Sequence, residues 1–105
     1  MVENVTVADL AAGVQRGEQV VDVRQPNEFE AGHVPGARLV PMHLVPLRIE
    51  ELRADPPVFV ICESGGRSRQ VGDYLAEQGI ASRNVVGGTA AWRDLGLPLA
   101  TGADA

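Results

Sequence analysis

Val58-Phe59-Val60-Ile61-Cys62-Glu63-Ser64-Gly65-Gly66-Arg67-Ser68 decides the fold. Its first four residues are β-branched or aromatic and read as a buried strand. Behind Ser68, the residues Val71, Tyr74, Leu75 and Gln78 recur at helical spacing, and Gly79 stops the helix. The protein's only cysteine therefore lies where a buried strand ends and a helix begins. A short loop closing onto a helix N-terminus turns several backbone N–H groups toward one point. Those donors and the helix dipole favour an anion there. A cysteine sulfur at that point is stabilised as its thiolate. Gly65 and Gly66 let the loop curl around the sulfur. Arg67 adds positive charge, and Ser68 either caps the helix or turns its hydroxyl inward. A lone cysteine is ordinarily a small buried hydrophobe. The paired glycines, Arg67 and the following helix together give Cys62 the role of nucleophile, with Glu63 to Ser68 as an anion cradle.

Outward from this stretch, strands and helices alternate. Val5-Thr6-Val7 reads either as a short strand or as a Thr6 cap on a helix carrying Val7, Leu10, Ala11 and Val14, stopped by Gly17. Gln19 to Val23 is a buried strand, and Pro26 suits the first turn of a short helix. Gly32 to Ala37 is a loop by its Gly and Pro content, and Arg38-Leu39-Val40 is a further short strand. Pro46 is expected to open a helix that buries Val45, Ile49 and Leu52. Arg83 to Val86 is the last strand, followed by a Gly87-Gly88 turn and a helix over Thr89 to Leu95. This alternation predicts an α/β fold with a mainly parallel sheet. Such sheets bind ligands at the C-terminal ends of their strands, which brings Asp22, Arg24 and Cys62 to one edge.

The 105 residues are expected to form one domain, 1–105, with residues 100–105 a frayed tail. Hydrophobic residues at 45% and charged residues at 22% are an ordinary globular composition. A net charge of -5 argues against nucleic acid or an anionic membrane as partner. One cysteine excludes an internal disulfide and fits a reducing compartment, so a cytoplasmic location is expected. There is no signal-peptide pattern at Met1-Val2-Glu3-Asn4 and no apolar run of membrane-spanning length.

Four stretches in order resemble the single-domain rhodaneses, a family of sulfurtransferases: Asp22 to Phe29, Gly32 to Ala37, Val60 to Ser68, and Gly87 to Trp92. The resemblance implies a central parallel five-stranded sheet flanked by helices on both faces, with Cys62 accepting a sulfur atom. It implies a small sulfur donor, thiosulfate or a persulfide, and a thiol acceptor, either a small molecule or a sulfur-acceptor protein. No metal or organic cofactor is implied. Members that act only as binding modules often lack the cysteine, so its presence favours chemistry. A carrier that hands its persulfide to a partner protein stays open. The nearest rival is a cysteine-type phosphatase or arsenate reductase, whose loop holds five residues between Cys and Arg. Here four separate Cys62 from Arg67, a smaller cradle.

Glu63 departs from the basic residue that often follows the cysteine in thiosulfate-using members; at the rim it would repel a dianionic donor. Asp22 and Arg24 are read as a structural ion pair or as loop support. Glu28 either pairs with a loop or helix group or lies free on the surface. His33 and His43 lack a Cys or carboxylate at ligand spacing, so no metal site is expected. Trp92 is read as a core anchor.

Overall fold

A computed structural model describes residues 2–103 of the chain. The elements are β1 (Val2–Val5), α1 (Val7–Gln15), β2 (Val20–Asp22), α2 (Pro26–Ala31), β3 (Arg38–Leu39), a 3-10 segment (Met42–Leu52), β4 (Val58–Ile61), α3 (Gly66–Glu77), β5 (Ser82–Val85) and α4 (Gly88–Asp94). The sheet has five strands in the order β1-β5-β4-β2-β3, and every neighbouring pair is parallel.

The apolar run of β4 is uninterrupted because this central strand is covered on both faces. Phe59 and Ile61 join one core with Leu10 of α1, Phe29 of α2 and Trp92 of α4. Val58 and Val60 join the other with Val71 and Leu75 of α3 and with Val45 and Leu52 of the 3-10 segment. The period of two along β4 thus divides the molecule into two layers of helices around one sheet. Among the described residues, no helix is long and apolar enough to cross a membrane.

Local chemistry sets the element boundaries. Thr6 is the N-cap of α1, and its side chain and Asp9 exchange bonds with each other's backbone in a capping box. That settles the alternative at Val5-Thr6-Val7: the strand ends at Val5 and the helix begins at Val7. The helix expected to start at Pro46 is instead a 3-10 segment beginning at Met42, with Pro46 inside it and a kink at Arg48. Proline has no N–H and its ring clashes with the carbonyl four residues back, so a regular α-helix cannot run through this position. The segment still buries Val45 and Leu52, and Ile49 packs partly against the same core.

The tail also differs from expectation. Ala100 and His33 exchange backbone hydrogen bonds of 2.8 and 2.9 Å, and the Gly102 N–H donates to the Glu30 carbonyl at 2.8 Å. Backbone pairing of this kind leaves no trace in composition, which is why residues 100 to 102 read as frayed. Residues 104 and 105 lie outside the described residues.

Candidate active site

Cys62 follows the last residue of β4, and α3 begins four residues later at Gly66. Gly65 is the N-cap, in the left-handed region with φ 109°, a conformation that favours glycine. Ser68 is therefore not the cap but lies inside the first turn, with its side chain fully buried. The Gly65 N–H donates to the Cys62 sulfur at 3.0 Å, and the Ser68 hydroxyl lies 3.3 Å from it. Burial pushes the Cys62 thiol up. The Ser68 hydroxyl and the backbone N–H groups of Ser68, Gly65 and Ser64 outweigh that and leave it below the ordinary thiol value. The residue has no exposed surface.

The first two peptides of the loop are held by α4. The Thr89 N–H donates to the Cys62 carbonyl at 2.9 Å, and the Ala90 N–H donates to the Glu63 carbonyl at 2.9 Å. The Thr89 hydroxyl also donates to the Cys62 carbonyl at 3.2 Å. With the Glu63 carbonyl drawn outward to the N-terminus of α4, the Ser64 N–H of the same peptide is turned toward the sulfur. Gly87 and Gly88 make a tight turn with φ 83° and 58°. Gly88 also makes room for the loop, since a Cβ there would lie 2.4 Å from the Cys62 carbonyl oxygen.

Under the loop lies a charged chain. Asp22 and Arg24 are 0% and 1% exposed. The Arg24 Nε lies 3.0 and 3.1 Å from the two Asp22 carboxylate oxygens, and its Nη2 lies 2.9 Å from Oδ2. Nη2 also donates to the Gly32 carbonyl at 2.8 Å, and Nη1 to Glu63 Oε1 at 3.2 Å. Arg93 of α4 holds the other Glu63 oxygen at 3.0 Å. Glu63 is thus clamped between two guanidinium groups, which offset the repulsion expected of it at the rim. Structural pairing and loop contact, posed as alternatives for Asp22 and Arg24, coexist in one chain.

Arg67 is equally occupied. Its two terminal nitrogens bond both Glu28 oxygens at 2.8 and 2.9 Å, tying α2 to the start of α3. The Arg67 hydrogen bonds, against a smaller opposing effect of burial, pull the Glu28 carboxyl down to about 2. His33 lies in the core, stacked on Phe29 with centroids 3.6 Å apart, and its Nδ1 donates to the Phe29 carbonyl at 2.7 Å. Trp92 is buried and its Nε1 donates to the Pro98 carbonyl at 2.7 Å. No group of three or more His, Cys, Asp or Glu among the described residues could hold a metal ion.

Sequence reasoning did not single out three contributors: Thr89, Arg93 and Asn84. Asn84 is buried on β5, and its Oδ1 lies 2.6 Å from the Ser68 hydroxyl. The visible signal was a polar residue between Arg83 and the apolar pair Val85-Val86 of the last strand.

The model of the rhodanese-like domain matches residues 6–95. A sulfurtransferase from Allochromatium vinosum is 43% identical over 81 residues, covering 76% of each chain. The thiosulfate sulfurtransferase GlpE of Pseudomonas putida is 39% identical over 80 residues, covering 75% of this chain and 73% of its own. The crystal structure of a rhodanese-like domain protein from Staphylococcus aureus superposes with a TM-score of 0.82 at 32% identity, over 95% of this chain and 98% of that one. The chain belongs to the rhodanese-like domain family, among relatives named as sulfurtransferases.

Proposed function

We propose that the protein is a sulfurtransferase in which Cys62 carries a sulfur atom between two half-reactions. The observation that carries this reading is the Cys62 sulfur set against the Gly65 N–H at 3.0 Å and the Ser68 hydroxyl at 3.3 Å. The Cys62 thiolate attacks the outer sulfur of a donor. With thiosulfate, the new S–S bond forms as the bond to the sulfite sulfur breaks, and sulfite leaves with the electron pair. Cys62 is then a persulfide whose negative charge sits on the outer sulfur. A nucleophile, cyanide in vitro or a thiolate in the cell, takes that sulfur and returns the Cys62 thiolate. The backbone N–H groups of Ser64, Gly65 and Ser68 lie against the sulfur and stabilise the developing anion, and the loop from Glu63 to Ser68 cradles the donor's oxyanion. Arg67 supports the loop from outside, and Asp22 and Arg24 hold Glu63 in place. These steps call on no metal or organic cofactor.

The cysteine-phosphatase alternative has less support, since Arg67 is bound to both Glu28 oxygens rather than free to hold a phosphate. The donor is either thiosulfate or a persulfide, and the acceptor a small thiol or a protein thiol. A chemistry that needs a free thiol suits the cytoplasm.

Steady-state kinetics test the reading. With thiosulfate or a small persulfide as donor and cyanide as acceptor, double-reciprocal plots at several donor concentrations should be parallel, with thiocyanate as product. Intersecting lines, or equal turnover by Cys62→Ser, would refute it.

A further inference from the structure

Asn84 and Asn4 are register partners on the adjacent parallel strands β5 and β1. Asn84 Nδ2 donates to Asn4 Oδ1 at 3.1 Å. On its other side Asn84 Oδ1 accepts from the Ser68 hydroxyl at 2.6 Å, while the Cys62 sulfur lies 3.3 Å and the Gly65 carbonyl 3.2 Å from the same hydroxyl. A hydroxyl has one proton. In this arrangement the shortest contact takes it, and the sulfur faces the hydroxyl oxygen's lone pairs. That suits a thiol, whose S–H donates to Ser68. It does not suit a thiolate, which needs the hydroxyl proton.

An amide differs from the other kinds of partner here in carrying an acceptor and a donor at the two ends of one planar group. Turned over, Asn84 presents Nδ2 to Ser68 and Oδ1 to Asn4. The Ser68 oxygen then accepts, and its proton turns to the sulfur, because a thiolate's full charge makes it a stronger acceptor than the neutral Gly65 carbonyl at a similar distance. Asn84 is only 4% exposed, so solvent does not replace a partner it loses. Asn4 is exposed, and its amide can turn in step.

We propose that Asn84 is a positioning residue for Cys62: by turning its amide it reverses the hydrogen-bond chain through Ser68, so that Ser68 donates to the sulfur when it is a thiolate and to Asn84 when it is a thiol. The chain also resets in each cycle, because forming the persulfide moves the negative charge off the Cys62 Sγ. The inference rests on the reading of Cys62 as nucleophile.

Other charges near the site do not take this role. Arg67 of α3 is bound to Glu28 of α2, and Glu63 is held by Arg24 and Arg93, with Asp22 beneath. Among the described residues, the side-chain partner of the Cys62 sulfur is Ser68, beside the backbone N–H groups of Ser64, Gly65 and Ser68.

The test reads the sulfur itself, so it is independent of whether sulfur transfer occurs. The rate of alkylation of Cys62 by iodoacetamide is followed against pH in wild type, Asn84→Asp, Ser68→Ala and the double variant. Asn84→Asp keeps the shape, and as the carboxylate it only accepts. It is expected to raise the midpoint by about one pH unit or more, which is about tenfold in rate at low pH. In the Ser68→Ala background the same change should move the midpoint by less than half as much. Equal shifts in both backgrounds would mean that the charge acts through space and would overturn the proposal. A second measurement needs no variant at position 84. The Asn84 side-chain amide resonances of ¹⁵N-labelled protein should shift with the Cys62 titration and not in Cys62→Ser. Resonances that stay fixed while Cys62 ionises would overturn the proposal whatever the variants do.

Discussion

A methyl group at Gly88 would lie 2.4 Å from the Cys62 carbonyl oxygen, 2.6 Å from the Glu63 carbonyl oxygen and 2.7 Å from the Glu63 carbonyl carbon. All three are backbone atoms of the active-site loop, so no side chain can move aside. Gly88→Ala must therefore push the N-terminus of α4 away from the loop. That breaks or lengthens the bonds from Thr89 and Ala90 to the Cys62 and Glu63 carbonyls, now 2.9 Å each. Gly96 supplies the control. Its φ of +71° resembles the +58° of Gly88, yet a Cβ there would meet nothing within 4 Å. Gly96→Ala carries only the left-handed strain, about 1–2 kcal/mol. Gly88→Ala carries that strain plus an overpacking term of about 1–3 kcal/mol. For a domain of this size the two melting temperatures should differ by roughly 5–15 °C. Total stability for such domains is about 5–15 kcal/mol, so both variants should still fold. Melting is followed by circular dichroism, and sulfur transfer is measured well below both transitions. Gly96→Ala should keep wild-type turnover, and Gly88→Ala should lose at least about tenfold, the effect of weakening one loop amide's hold on the anion. Equal melting temperatures and equal turnover in the two variants would refute the claim that α4 holds the loop in its working shape.

Three further outcomes follow from the same geometry. The Glu28 carboxyl lies at about 2 when paired with Arg67, so the pair adds stability above the ordinary glutamate range near 4.3 and loses it as pH falls through about 2; Glu28→Gln should flatten the stability of the folded protein across that window, and an unchanged acid profile would contradict the pairing. Glu63→Gln removes the charge that offsets Arg24 and Arg93, so it should lower KM for thiosulfate, and a higher KM in steady-state assays would count against the electrostatic account of the rim. Cys62 has no exposed surface, so a small alkylating agent should react faster with it than a bulky one of equal intrinsic reactivity, by a factor larger than for a free thiol; equal factors would show the sulfur to be open.

The legible parts of this molecule are the local ones. The run Val58 to Ile61, the paired glycines before Arg67 and the helical spacing after it are all neighbours in the chain, so strand, loop and helix can be read from them directly. The parallel sheet follows from the alternation of such segments. What stays hidden is carried by contacts between distant segments. Ser68 meets Asn84 16 residues on, Arg93 reaches Glu63 across 30, and Arg67 finds Glu28 across 39. Nothing in the neighbourhood of Arg67 shows that its charge is directed outward to α2. For the same reason Glu63 reads as a free charge when it is a clamped one. Gly88 reads as half of a turn because the carbonyl it makes room for belongs to another loop. The 3-10 segment escapes a local reading because Pro46 is equally at home at a helix start, and its true place depends on the turn already running from Met42.

The most direct test of Cys62 as a sulfur carrier is the intact mass of the protein after treatment with thiosulfate or a small-molecule persulfide, and again after a cyanide chase, with Cys62→Ser as control. Wild type is expected to gain one sulfur atom, which cyanide removes with release of thiocyanate, and Cys62→Ser is expected to gain none. No gain from either donor, or the same gain in Cys62→Ser, would contradict that role.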